Sequence, residues 1–293
     1  MRKNPAENVG GTMFFAGSGG KIRSPAPVDS PEKKPTFCAL CFPPTHDMVS
    51  PGTRRAGKGR RTLEIHGLQK LTLLDYPGHT ACTVFTGRCN WRCPFCHNAS
   101  LVLRPEGQPL IAEEEIFSLL RKRRGLLDGV AVTGGEPTLQ KDLPDFLRRV
   151  KEMGFAVKLD TNGTNPAMLR SILEEGLADY VAMDVKAGRS NYPSVTGTIR
   201  PGLPAVEESA SLLMEGRVDF EFRTTVVREL HSEEDFADIG PWLRGDEKYF
   251  LQAFKDSGDI LTPGHSPCTR PEMEGFRQQL LPFIPRTELR GLD

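Results

Sequence analysis

After Arg61 the apolar residues of the chain fall into two alternating patterns. Short runs rich in β-branched and aromatic residues occupy 80–86, 130–133, 156–160, 180–185, 220–227 and 249–254, as in strands buried on both faces. Between them, at 112–123, 143–153, 166–175, 205–215 and 233–243, apolar residues recur at helical spacing and mark one face of a helix. Glu113, Glu114 and Glu115 stand in the first turn of the earliest of these, where the helix dipole favours carboxylates. Strands alternating with helices predict an α/β fold, a parallel sheet with right-handed crossovers. Six strand segments suit either a partial α/β barrel or a doubly wound sheet. Periodicity does not separate the two.

In both architectures, chemistry gathers at the carboxyl ends of the strands. The polar clusters follow that rule. Cys89, Cys93 and Cys96 come after the first strand, Gly134-Gly135-Glu136 after the second, and Asp160-Thr161-Asn162-Gly163 after the third. Asp184 and Lys186 close the fourth, and Arg223 lies within the fifth. Core packing alone gives no reason for separate elements to deliver polar residues to one rim.

Composition changes the picture only at the amino end. The 293 residues carry 38 Lys/Arg against 38 Asp/Glu, but residues 1–62 hold 11 of the former and 4 of the latter. That stretch also holds 8 of the 24 prolines and 8 of the 29 glycines. So few apolar residues do not offset the entropy of ordering, which predicts a basic, disordered extension before a domain at 63–293. Met13-Phe14-Phe15-Ala16 is too short for a signal-peptide core. No apolar run approaches the ~18 residues of a spanning helix. A cytoplasmic chain with no membrane or nucleic-acid partner is expected.

Seven cysteines cannot all pair, and without a secretory signal metal or redox chemistry is favoured over disulfides. Cys89, Cys93 and Cys96 have the spacing C-x3-C-x2-C, and no cysteine occurs from 97 to 267. Three thiolates can hold three irons of a cubane cluster, leaving the last iron open. A zinc site with His97 as fourth ligand competes with this reading, although adjacent residues rarely both reach one tetrahedral metal. His97 could otherwise hydrogen-bond to the cluster or pack on Trp91. Cys82 alternates into a strand as a small core residue. Cys38 and Cys41 have no assigned role. The Gly134-Gly135-Glu136-Pro137 turn lets backbone approach a ligand closely, and Glu136 adds an acceptor for an ammonium group. Asp160 and Asp184, on adjacent strand ends, would repel unless a cation or Lys186 lay between them.

C-x3-C-x2-C followed by a GGEP turn resembles the radical S-adenosylmethionine (SAM) enzymes. Gly67-Leu68-Gln69-Lys70, Asp75-Tyr76-Pro77-Gly78 and Cys96-His97-Asn98 narrow the likeness to the activating proteins of glycyl-radical enzymes. Within these the chain most resembles the activators of anaerobic ribonucleoside-triphosphate reductase. The resemblance covers about residues 63–255. It implies a partial (β/α)6 barrel and one 4Fe–4S cluster on Cys89, Cys93 and Cys96. SAM would chelate the open iron, with Phe95 against its adenine, Gly134, Gly135 and Glu136 at its amine, Arg223 at its carboxylate and Lys186 beside it. Asp160 and Asp184 would help to hold a monovalent cation next to SAM. For Arg223 a strand-end surface ion pair is the alternative, and for the two aspartates ordinary strand-end carboxylates.

The implied reaction takes an electron from reduced flavodoxin or ferredoxin, cleaves SAM, and removes a hydrogen atom from a glycine of the partner enzyme. A radical SAM enzyme acting on a small molecule, of the 7-carboxy-7-deazaguanine synthase type, is the alternative function. Two departures stand out: Arg88 occupies the position before the first cysteine where glycine is usual, and Ala99 follows Cys-His-Asn where proline is common.

Overall fold

The computed structural model of the protein describes residues 62–246 and 248–292. The extension expected at 1–62, with Cys38 and Cys41, lies outside the described residues except for Thr62.

One eight-stranded sheet runs in chain order: β1 (Ile65–Thr72), β2 (Ala81–Thr86), β3 (Gly129–Gly134), β4 (Ala156–Thr161), β5 (Tyr180–Asp184), β6 (Asp219–Val226), β7 (Tyr249–Ala253) and β8 (Thr287–Arg290). β1 pairs antiparallel with β2, and every later pair is parallel. A doubly wound sheet needs a reversal in strand order. Here each strand neighbours the next in sequence, so successive right-handed crossovers stay on one side and the sheet curls. β1 and β8 are its two edges, and the barrel is therefore open.

The strands β2–β7 are the six expected from the sequence. The edge strands were not expected. β1 (IHGLQKLT) is half polar because one side faces no neighbour, and β8 is only four residues long. Helices α2 (Glu113–Lys122), α3 (Leu143–Glu152), α4 (Pro166–Glu174), α6 (Leu203–Met214), α7 (Glu233–Trp242) and α8 (Arg270–Leu280) connect the parallel strands. Short helices α1 (Ala99–Leu103) and α5 (Tyr192–Thr196) follow the cysteine loop and precede α6. Their apolar stripes, such as Leu143, Phe146, Leu147 and Val150 of α3, pack on Val130, Val132, Val157 and Leu159 of the sheet. Cys82 is fully buried in that core. Among the described residues no helix is long and apolar enough to cross a membrane.

Candidate active site

The cysteine loop leaves β2 and is anchored at several points. Trp91 is buried, donates its indole N–H to Pro201 O at 3.0 Å, and meets Tyr192 edge-on at 5.9 Å. Arg92 N donates to Thr196 O at 2.9 Å, and Thr262 N to Pro94 O at 2.9 Å. The thiols of Cys89, Cys93 and Cys96 are free. Burial pushes Cys89 up to about 11 and Cys93 up to about 12, and raises Cys96 as well. A metal must displace those protons, so ligation would be coupled to their release. Trp91 N donates to Cys89 Sγ at 3.4 Å, the kind of N–H contact that tunes an iron–sulfur centre.

Among the described residues no three His, Cys, Asp or Glu side chains are placed to hold one metal ion. A cubane asks for no such common point, because each thiolate meets a different iron. The donor set fits that group. His97 packs its ring on Phe254 at 5.4 Å rather than on Trp91, and burial pushes its pKa down.

The GGEP turn braces the cysteine loop. Gly134 has φ +116°, and a Cβ there would lie 2.3 Å from Thr86 N. At Gly135 a Cβ would lie 1.8 Å from Arg88 O. Gly135 N donates to Thr86 O at 2.9 Å and Glu136 N to Arg88 O at 2.8 Å. Asn98 Nδ2 donates to Gly134 O at 2.9 Å. The Asn of Cys-His-Asn thus ties the end of the loop to the turn.

Glu136 is buried and links β3 to β4. Its Oε1 accepts from Thr138 N, Thr138 Oγ1 and Thr161 Oγ1, and its Oε2 accepts from Asn162 N at 2.7 Å. Burial pushes its carboxyl up in spite of these bonds. Oε2 keeps room for a second donor, which an ammonium group could supply.

The rim over β4, β5 and β6 is an ion-pair network. Arg223 Nε donates to Asp184 Oδ1 at 2.5 Å and its Nη2 to Asp160 Oδ2 at 3.1 Å. Lys186 Nζ reaches Asp184 Oδ2 at 2.8 Å, and Lys158 Nζ binds Asp160 Oδ1. Burial would raise both carboxyls, but Arg223 with Lys158 lowers that of Asp160, and Arg223 with Lys186 lowers that of Asp184. Burial works against the Lys186 charge, and Asp184 outweighs it. The sequence left either a cation or Lys186 to separate these aspartates. Among the described residues the cationic side chains that meet them are Arg223, Lys158 and Lys186. Arg223 does form an ion pair, but in the cavity wall, where its side chain is 16% exposed, and not on the surface. His231 Nε2 contacts Lys186 O at 2.8 Å and its ring lies edge-on to Phe95 at 6.4 Å, holding the two residues together.

All eleven residues singled out in the sequence line one cavity of about 220 Å³ at the carboxyl ends of the strands: three cysteines, Phe95, the Gly-Gly-Glu turn, Asp160, Asp184, Lys186 and Arg223. Asn162, from the polar cluster after the third strand, lines it as well; Gln252 and Thr225 line it too and were not anticipated. Lys158 was also missed. It stands two residues before Asp160 on β4, and that spacing alone places both on one face of the strand.

Comparison with known proteins agrees with this arrangement. The family model for the radical SAM superfamily matches residues 83–239. A Methanocaldococcus jannaschii protein, provisionally named a glycyl-radical enzyme activating enzyme, is 35% identical over 201 residues, covering 67% of this chain and 82% of its own length. The pyruvate formate-lyase-activating enzyme of Clostridium pasteurianum is 35% identical over 154 residues, covering 49% of this chain and 63% of its own. The crystal structure of Streptococcus suis SuiB superposes with a TM-score of 0.56 at 14% identity, over 70% of this chain and 47% of that one. At that identity SuiB speaks to the fold alone.

Proposed function

This chain belongs to the radical SAM superfamily, and from that premise we propose that it is a glycyl-radical enzyme activating enzyme, with an anaerobic ribonucleoside-triphosphate reductase as its partner. The observation that carries the reading is the single cavity into which the C-x3-C-x2-C thiols, the GGEP turn and the charged rim all open. Cys89, Cys93 and Cys96 would hold one 4Fe–4S cluster. When bound, that cluster supplies the electron, passed on by reduced flavodoxin or ferredoxin, that splits SAM to methionine and a 5′-deoxyadenosyl radical. The chain's own residues bind and orient. Glu136 Oε2 offers an acceptor to the SAM amine. Arg223 Nη1 has no hydrogen-bond partner among the described residues and can meet the SAM carboxylate. Phe95, held by His231 and lying 5.9 Å from Lys186 Nζ, gives the adenine an apolar wall.

Two further features support a protein substrate. The sheet is open between β1 and β8, leaving a side through which a loop can enter, and the two curated relatives above are named activating enzymes. The cysteine-free span from 97 to 267 leaves no place for a cysteine-rich ferredoxin-like insert, which favours the reductase as partner. A domain at 63–293 working in the cytoplasm completes the reading. Placing a glycine Cα–H against the 5′-carbon is a positioning task that partner binding must perform.

The test is anaerobic incubation with SAM, reductant and a cognate anaerobic ribonucleotide reductase. A glycyl-radical doublet should appear by electron paramagnetic resonance, and deuterium from the target glycine should enter 5′-deoxyadenosine. SAM consumption with a small metabolite, and no radical on any cognate glycyl-radical enzyme, would instead support a small-molecule enzyme of the deazaguanine synthase type.

A further inference from the structure

Two short segments of opposite order face each other across the rim: Lys158-Leu159-Asp160 on β4, and Asp184-Val185-Lys186 running out of β5. In each, a lysine two residues away grips its own aspartate, while Arg223 spans both. All four carboxylate oxygens therefore have a cationic partner supplied by the chain. The Lys158 side chain is only 2% exposed, and Asp160 is its one ion-pair partner among the described residues. The next carboxylate in the barrel, Glu221, is held by Arg290 at 2.9 and 3.0 Å and by the Tyr180 hydroxyl at 2.9 Å.

We propose that Lys158 is the built-in counter-ion of Asp160, so that this site needs no dissociable monovalent cation. A buried carboxylate pair must be neutralised. Here a tethered ammonium does it without drawing an ion from solution, and an added potassium ion would be a fourth cation against two anions. The arrangement also frees Arg223. If the guanidinium turns toward a ligand carboxylate, Asp160 keeps Lys158 and Asp184 keeps Lys186, so neither is left bare. Lys158 is thus a positioning residue, acting on the ligand through Asp160 and Arg223. The consequence for SAM rests on the proposed function above, whereas the counter-ion role does not.

The experiment uses the full chain, reconstituted anaerobically, in potassium chloride and in tetramethylammonium chloride at equal ionic strength. SAM affinity is read by equilibrium dialysis and stability by thermal melting. Wild type should give the same affinity and the same melting temperature in both salts. Lys158→Met should bind SAM on the order of tenfold more weakly in tetramethylammonium, because Arg223 must then stay on Asp160 as its remaining cation. Potassium should restore most of that loss and raise the variant's melting temperature. Lys158→Arg should behave as wild type. Lost packing alone would not respond to the identity of the salt. A wild type that needs potassium for affinity or stability overturns the proposal, and that arm stands even if Lys158→Met fails to fold. A folded Lys158→Met indifferent to potassium overturns it as well. Wild type that binds SAM in neither salt refutes the SAM reading instead, and the melting comparison still decides the role of Lys158.

Discussion

Arg88 adopts a left-handed backbone, φ +68°, and its carbonyl oxygen accepts the Glu136 amide at 2.8 Å. It is the one non-glycine residue with positive φ among the described residues. The conformation turns the chain from β2 into the cysteine loop and at the same time presents an acceptor to the GGEP turn. Two loops that deliver different parts of the site are thereby locked together one residue before Cys89.

That strain should be removable. A left-handed non-glycine residue costs roughly 1–2 kcal/mol. The Arg88 side chain gives back little, since its pair with Glu64 at 3.1 Å is 66% exposed on the arginine side, and solvent screens such pairs. Arg88→Gly gains chain entropy in the unfolded state, so a net change between about zero and +1 kcal/mol is expected. Urea unfolding measures it, and a loss beyond 1 kcal/mol would show that the Glu64 pair matters more than the backbone.

The opposite result is expected across the same contact. A Cβ at position 135 would meet Arg88 O at 1.8 Å, and the obstacle is backbone. Gly135→Ala must push the turn away from the cysteine loop, with a loss on the order of 3 kcal/mol, at the top of the ordinary range for point changes. Iron content after reconstitution should fall with it. Full iron binding at wild-type stability would mean that the two loops are less tightly joined than their hydrogen bonds indicate.

The cysteines should divide sharply. Cys89→Ala, Cys93→Ala or Cys96→Ala should each abolish the brown iron–sulfur absorption, because a cubane that loses one thiolate is destabilised as a whole. Cys268 is buried in a separate pocket with Phe254 and His265. Cys268→Ala should therefore keep full iron and sulfide. Ultraviolet–visible spectra with iron and sulfide assays decide the matter, and zinc without sulfide in the wild type would end the cluster assignment.

Acid should weaken the fold through the rim aspartates. Arg223 and the lysines hold Asp160 and Asp184 below their ordinary 3.8 in the folded state, against burial that would raise them. A carboxyl lowered by folding contributes stability that is complete above its unfolded value. That contribution is lost as pH falls below about 5, where the unfolded chain takes up protons, and on through the folded value. Glu136 has the opposite sign, since its pKa is raised. The comparison that isolates the rim is wild type against Asp184→Asn. Melting temperature should drop more steeply for wild type between pH 5 and 3, a window about two pH units wide. Equal slopes would assign the acid sensitivity elsewhere.

Sequence by itself determined the strands β2–β7 and the residues that gather around the cavity. Both are written in short-range signals: apolar runs for buried parallel strands, C-x3-C-x2-C, and polar residues just past the end of each run. The tertiary structure decided what those residues do to one another. Asp160 and Arg223 lie 63 positions apart, and only the crossovers bring them within hydrogen-bond distance. Glu136 reads as a free acceptor in the sequence, yet Thr161 and Asn162, 25 and 26 positions later, make it a strap between β3 and β4. The edge strands escaped notice for a related reason: with a neighbour on one side only, β1 and β8 do not need the continuous apolar run that marks a buried strand. Asp259, which accepts from Ser100 N and Oγ at 3.3 and 2.8 Å, sits in a polar stretch with no periodicity to read. Spacing along the chain reports which residues share a face, whereas the pairing of charges depends on the register and closeness of strands far apart in sequence.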